Sequence, residues 1–210
     1  MHYELYYAKG SASMGVRVLL EEIGSSYDLI ETTIDMDKPR PVAQLALNPN
    51  GWVPVLKWGD QAMYECAAIT IFLCDRHPEA KLAPLPNDRE RHLFLQTLVY
   101  FSSSIQNAFQ LTYYPERFVD QPADESSAIA RGNRRLSETF KIIDDQLGSN
   151  PCVLGASFSA ADIYLFMLTT WLQADVGHPS LEDFPNVRRL AMSAAERPSV
   201  QRVYGQPPFE

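Results

Sequence analysis

The sequence predicts an α/β domain over residues 1–78, in the order β-α-β-α-β-β-α, followed by an all-helical domain over residues 89–210. Three observations predict it. Strand-period and helix-period segments alternate as far as Arg76. The stretch His77 to Asp88 then holds Pro78, Pro84 and Pro86, which marks a linker over residues 79–88. Beyond it the long apolar patterns all have the helical period.

Each element has its own signal. Tyr3, Leu5 and Tyr7 alternate with more polar neighbours and predict a strand. Gly10-Ser11-Ala12-Ser13 reads as a turn. Met14 to Ile23 reads as a helix, with Val16, Leu19, Leu20 and Ile23 on one face and a stop at Gly24. Tyr27 to Ile34 is a second strand, Asp35 to Pro41 a polar loop and Val42 to Leu47 a short helix. Val53 to Trp58 and Ala62 to Tyr64 form a hairpin about Gly59-Asp60. Glu65 to Arg76 closes the domain as a helix, with Ala68, Ile69, Phe72 and Leu73 on one face. The first unit implies parallel strands joined by a right-handed crossover, and the hairpin an antiparallel edge. Past the linker, Arg89 to Leu111 reads as one long helix and Glu125 to Leu147 as another, ended by Gly148 and Pro151. Ala160 to Leu172 is strongly apolar and central. Val187 to Glu196 and a short Ser199 to Tyr204 complete the series. Ser159 and Asp162 have the spacing of a capping box, which contributes on the order of 1 kcal/mol and carries no chemistry.

Composition narrows the function. The chain has 18 Lys and Arg against 26 Asp and Glu, a net charge of −8, which argues against nucleic acid or an anionic membrane as partner. Cys66, Cys74 and Cys152 have no metal-ligand spacing, and the four histidines are scattered, so no metal site is expected. The N-terminal residues lack a signal-peptide pattern and no apolar run reaches membrane-spanning length, so a soluble cytoplasmic protein is expected.

The most informative stretch is Asn48-Pro-Asn-Gly-Trp-Val-Pro-Val-Leu56, followed by Glu65-Cys66. Pro54 interrupts an apolar run that otherwise reads as a strand, and a proline has no N–H for a ladder. A cis Val53-Pro54 bond turns the polar groups of Val53 out of the sheet and presents them to a peptide-like ligand. With Glu65-Cys66-x-Ala68-Ile69 and Ser159-x-x-Asp162-Ile163, this stretch resembles the cytosolic glutathione transferases over essentially the whole chain. The bacterial beta-like and zeta-like members are the nearest in pattern.

The resemblance implies a thioredoxin-like first domain that binds glutathione as co-substrate, and usually a homodimer. It places the cysteinyl part of glutathione on the backbone of Val53, beside Pro54, and the γ-glutamyl carboxylate at the start of the helix beginning near Glu65. Glu65 pairs with the ligand's ammonium group. Cys66 stands where family members usually carry a serine, and is a weaker donor. Lys38 and Arg40 are candidates for the glycyl carboxylate, and Trp52 covers part of the peptide. The catalytic task is to hold a thiolate near neutral pH, and the family places a hydroxyl or thiol donor just after the first strand. A cysteine of the related classes is Ala12 here, which leaves Ser11, then Ser13, then the phenol of Tyr7 as donors. Gln106 and Asn107 fall where beta-like members carry a polar or basic pair facing the sulfur. Asn107, Tyr113, Tyr114 and Trp171 are expected to wall a pocket for a hydrophobic electrophile.

Each of these has a plainer reading. Serines before a helix cap it, Tyr7 packs, Lys38 and Arg40 belong to a solvated loop, and the aromatic stripe is interhelical core. The function expected is thiol activation for addition to a hydrophobic electrophile, as in detoxification. The rivals are a glutathione-dependent isomerase of the maleylacetoacetate type and a non-catalytic ligand-binding or interaction protein on the same scaffold.

Overall fold

A computed structural model describes residues 1–35 and 37–205. Strands β1 (Tyr3–Tyr7), β2 (Tyr27–Glu31), β3 (Val55–Trp58) and β4 (Gln61–Tyr64) form one sheet in the order β2-β1-β3-β4. β1 runs parallel to β2, with Tyr3 opposite Tyr27, and antiparallel to β3, with Tyr6 opposite Val55. The hairpin pairs Val55 with Tyr64. Helices α1 (Ser13–Ile23), α2 (Val42–Leu47) and α3 (Cys66–Arg76) complete the expected β-α-β-α-β-β-α order. Period-2 alternation sends Tyr3 and Leu5 into a fully buried layer with Val16, Leu20, Ile69 and Leu73. The alternate residue Tyr6 joins Ala8, Val53 and Val55 in a second cluster with Ile30, Ile34 and Leu47. α1 stops where its sequence says it should, at Gly24 in the left-handed conformation, whose N–H caps the carbonyls of Leu20 and Glu21.

The helical part holds α4 (Arg91–Tyr100), a five-residue π segment (Phe101–Ile105), α5 (Gln106–Tyr113), α6 (Glu125–Leu147), α7 (Ala160–Thr169) and α8 (Pro185–Ala195). Every residue of α7 is buried. Its start has the capping box that the spacing predicts: Asp162 accepts from the Ser159 N–H at 2.8 Å, and Ser159 Oγ accepts from the Ala161 N–H. α5 and α6 approach closely at Gly132, where a Cβ would lie 2.6 Å from Thr112 Cγ2.

β2 and α7 each end three residues earlier than the sequence reading has them, and two larger differences follow. The single helix over Arg89 to Leu111 is interrupted by the π segment, whose extra residue per turn is accommodated by the Ser102 and Ser103 hydroxyls bonding the Val99 carbonyl. The last helix, α9 (Pro198–Tyr204), belongs to the first compact unit and not to the helical one. The units divide as Met1–Arg91 with the chain from Ala195 on, and His92–Ala194. Arg197 grips Glu22 of α1 with two bonds of 2.7 Å, Ser199 donates to the same carboxylate, and Arg202 bonds Glu21.

Candidate active site

β1 ends at Tyr7 and α1 begins at Ser13, so residues 8–12 make the turn that carries the hydroxyl candidates. Ser11 and Ser13 are both buried, Ser13 completely. Their oxygens lie 2.6 Å apart, and both surround the Ala8 peptide. Ser13 Oγ accepts from the Ala8 N–H at 3.1 Å, and Ser11 Oγ donates to the Ala8 carbonyl at 2.8 Å. Ser11 Oγ also accepts from the Ser13 N–H at 3.2 Å. Neither serine caps α1 as the plainer reading expects: its N-cap is Ala12, with no side-chain cap bond, and the serine bonds stay within the turn. Tyr7 does not join the pair. The Arg17 guanidinium lies 5.6 Å over its ring, and its hydroxyl bonds neither serine.

The Asn48–Gly51 turn positions the corner before β3. Asn48, almost fully buried, donates its amide to the Trp52 carbonyl at 3.0 Å and accepts from the Asn50 N–H. Gly51 has φ +73°, and a Cβ there would come within 3.0 Å of Arg40 Cγ. The Gly51 carbonyl receives both Arg40 Nε, at 3.1 Å, and Gln44 Nε2, at 3.0 Å. The Val53-Pro54 peptide is cis. Val53 is buried, yet neither its N–H nor its C=O bonds another described residue. β3 starts only at Val55, two residues later than the apolar run suggests, because Pro54 has no N–H to give.

Across the hairpin, Glu65 precedes α3 with φ +76° and ψ +111°, a conformation that costs a non-glycine residue roughly 1–3 kcal/mol. Its exposed side chain does not cap the helix. Cys66 is buried and donates its thiol to the Ala12 carbonyl at 3.6 Å. That bond ties the start of α3 to the residue before α1.

The other sequence candidates have their own surroundings. Arg40 is spent on the backbone: besides Gly51 it bonds the carbonyls of Asp35 and Lys38, and its guanidinium lies 5.9 Å from the Trp52 ring. Lys38 is exposed and pairs with Asp35 at 3.2 Å. In the helical unit Gln106 accepts from the Tyr164 hydroxyl. Asn107 lines a groove of about 490 Å³ with Ser104, Leu111 and Arg131. Tyr113 and Trp171 come together, but as packing: the Tyr113 hydroxyl donates to the Trp171 carbonyl at 2.6 Å, and both rings meet Phe109. Tyr114 lies under the Arg117 guanidinium, 4.1 Å from its centre.

Sequence reasoning missed four supporting residues. Asn48 was legible from the Asn-Pro-x-Gly spacing. Gln44, fully buried between Thr32 and Gly51, looks like an ordinary polar residue of a short helix. The Ala8 peptide and Tyr164 had no local signal. Among the described residues no group of three or more His, Cys, Asp or Glu side chains could hold a metal ion, and no helix is long and apolar enough to cross a membrane.

Comparison with known proteins identifies the family. Residues 5–81 match the family model of the glutathione S-transferase N-terminal domain, and residues 126–190 that of the C-terminal domain. A glutathione S-transferase of Escherichia coli O157:H7 is 26% identical over 94% of this chain and 95% of its own. A GST-like protein of Escherichia coli K12, YncG, is 31% identical over 75% of this chain and 74% of its own. Among solved structures, a sphingomonad glutathione S-transferase complexed with glutathione superposes with a TM-score of 0.82 at 26% identity, over 95% of this chain and 96% of that one. A Sulfitobacter glutathione transferase homologue with bound glutathione gives 0.85 at 25% identity, over 96% of each.

Proposed function

Because the chain belongs to the glutathione S-transferase family, we propose that it binds reduced glutathione in its first unit, stabilises the thiolate, and transfers the sulfur to an electrophilic carbon of an apolar molecule. The observation that carries this reading is Val53, a largely buried residue whose backbone N–H and C=O bond no other described residue. An extended peptide laid alongside supplies partners for both groups, as an added strand does. The γ-glutamyl carboxylate then falls to the uncapped N–H groups of α3, and the ammonium group to Glu65. Lys38 is the cation left for the glycyl carboxylate, since Arg40 clamps the turn beneath. Trp52 covers the peptide beside Pro54.

A free thiol titrates near 8.5, so holding it as a thiolate at neutral pH requires a lowering of one to two units, at about 1.4 kcal/mol per unit. The buried serine pair at the start of α1 supports that task by holding a hydroxyl donor in a water-poor turn. The protein forms no covalent intermediate in this scheme; it positions the sulfur and stabilises its charge. Asn107, which borders open space, is retained as a wall residue for the electrophile. A cytoplasmic homodimer working in detoxification completes the reading and rests on the family alone.

The test is calorimetric titration with glutathione, followed by ultraviolet difference spectra and turnover of a chloronitrobenzene. We expect a dissociation constant of roughly 1 μM to 1 mM with a thiolate band near neutral pH. Absence of binding at millimolar glutathione overturns the reading. Binding with neither the band nor turnover points instead to a ligand carrier.

A further inference from the structure

The hydrogen-bond distances around Ala8 assign an order to the two serines, and we infer that Ser13 is a positioning residue that aims and polarises the hydroxyl of Ser11, the one that donates to the glutathione sulfur. This deepens the glutathione transferase reading and rests on it.

Each serine has one proton to give. Two assignments satisfy the geometry. In one, Ser11 donates to the Ala8 carbonyl at 2.8 Å and Ser13 donates to Ser11 at 2.6 Å. In the other, Ser11 donates to Ser13, and Ser13 donates to the Ala8 carbonyl at 3.2 Å. The first uses the two shortest contacts and is favoured. In it Ser13 accepts from the Ala8 N–H and donates to Ser11, so its hydrogen-bonding is complete and it has no proton for a ligand.

Ser11 differs in two respects. Its proton rests on a carbonyl that also accepts from the Ser11 N–H at 3.3 Å. If the Ser11 hydroxyl rotates towards a sulfur, the Ala8 carbonyl is left bonded. Ser11 is also the member of the pair with residual exposure, at 7% against 0% for Ser13. The resulting chain runs from the Ala8 N–H to Ser13, from Ser13 to Ser11, and from Ser11 to the thiolate. Each donor in it is strengthened by the bond it accepts. No proton is transferred along the chain; the thiol proton leaves to solvent, and the chain stabilises the anion that remains.

The experiment titrates the bound glutathione thiol through its ultraviolet band in the wild type, Ser11→Ala, Ser13→Ala, Ser13→Cys and Ser13→Thr. Thermal melts and calorimetric glutathione affinity are measured on the same samples. We expect Ser11→Ala to raise the apparent thiol pKa by about one unit, and Ser13→Ala by about half a unit, with affinity held within about threefold. Ser13→Thr restores the wild-type value. Ser13→Cys, a weaker donor of similar shape, gives the Ser13→Ala shift in a folded protein even where the alanine variant is unstable. A wild-type thiol pKa in Ser13→Ala or Ser13→Cys overturns the proposal. So does a larger shift in those variants than in Ser11→Ala, which reverses the order. Failure of the glutathione reading itself looks different: the wild type then shows no calorimetric binding at all.

Discussion

Two adjacent residues at the mouth of α3 are set against stability or affinity. Glu65 is held at φ +76°, where only glycine sits without strain. Replacing it with glycine removes about 1–3 kcal/mol of strain and adds back about 0.5–1 kcal/mol of backbone entropy, so the strain term wins. Glu65→Gly is therefore expected to keep or raise the melting temperature while weakening glutathione binding about tenfold or more, through loss of the carboxylate proposed above for the ligand's ammonium group. A denaturation curve and a titration on the same sample test both halves. A lower melting temperature, or unchanged affinity, removes Glu65 from the site. At Cys66 the thiol is turned to the Ala12 carbonyl and is a poor donor in any case. Cys66→Ser substitutes a shorter, stronger hydroxyl donor at the helix mouth. It is expected to tighten glutathione binding by roughly threefold to tenfold, equivalent to one neutral hydrogen bond of about 1 kcal/mol. Weaker binding by the serine variant shows that the Cys66–Ala12 tie is what the site needs.

At the scale of elements, the parts with local signals were legible and those fixed by tertiary contacts were not. The capping box at α7 and the glycine stop of α1 follow from spacing alone. The π segment does not, because Phe101 and Ile105 keep an apolar period that fits an unbroken helix. The commitment of Arg40 to three carbonyls was equally invisible, since it depends on where the Asn48–Gly51 turn brings the Gly51 carbonyl. The segment between α7 and α8 adds an unforeseen histidine. His178 is buried, accepts from the Gln173 N–H at Nδ1, and meets the Thr112 hydroxyl at Nε2. Because the Thr112 proton goes to the Phe109 carbonyl, His178 is neutral with its proton on Nε2. Burial holds its pKa below 6.5, against the opposing pulls of the Trp171 carbonyl and the Asp175 carboxylate. Tyr113, whose ring also meets His178, is pushed up to about 12 by burial and stays neutral. Below about 6.5 the unfolded chain therefore binds more protons at this position than the folded one, so stability falls as pH drops through that value. His178→Gln keeps a donor and an acceptor without the titration. Its melting temperature is expected to fall less than that of the wild type between about pH 7.5 and 5.5. Parallel curves exclude His178 as the source of acid sensitivity in that window.

For the whole molecule, the least legible feature is that the first unit is discontinuous: the helical unit, His92–Ala194, is inserted within it. Nothing local in Arg197 to Tyr204 announces this, because its determinants are ion pairs with partners about 175 residues earlier in the chain. Closing a loop of that length adds an entropy cost that grows only as its logarithm, so a few good bonds suffice to offset it. They centre on Glu22, whose carboxylate is mostly buried. Burial pushes Glu22 up, but the bonds from Arg197 and Ser199 prevail and hold it below the usual carboxylate value. Arg197→Ala leaves that carboxylate with Ser199 as its remaining bonded partner and costs about 1–3 kcal/mol. The loss falls on the first unit alone, and the tryptophans report where it goes. Trp52 and Trp58 lie in the first unit and Trp171 in the helical one. In Arg197→Ala, fluorescence of a variant that keeps only Trp52 and Trp58 is expected to change at lower denaturant than that of one that keeps only Trp171, splitting a transition that coincides in the wild type. Coincident curves in Arg197→Ala mean that the two units unfold as one and that α9 anchors the whole chain, not its first unit.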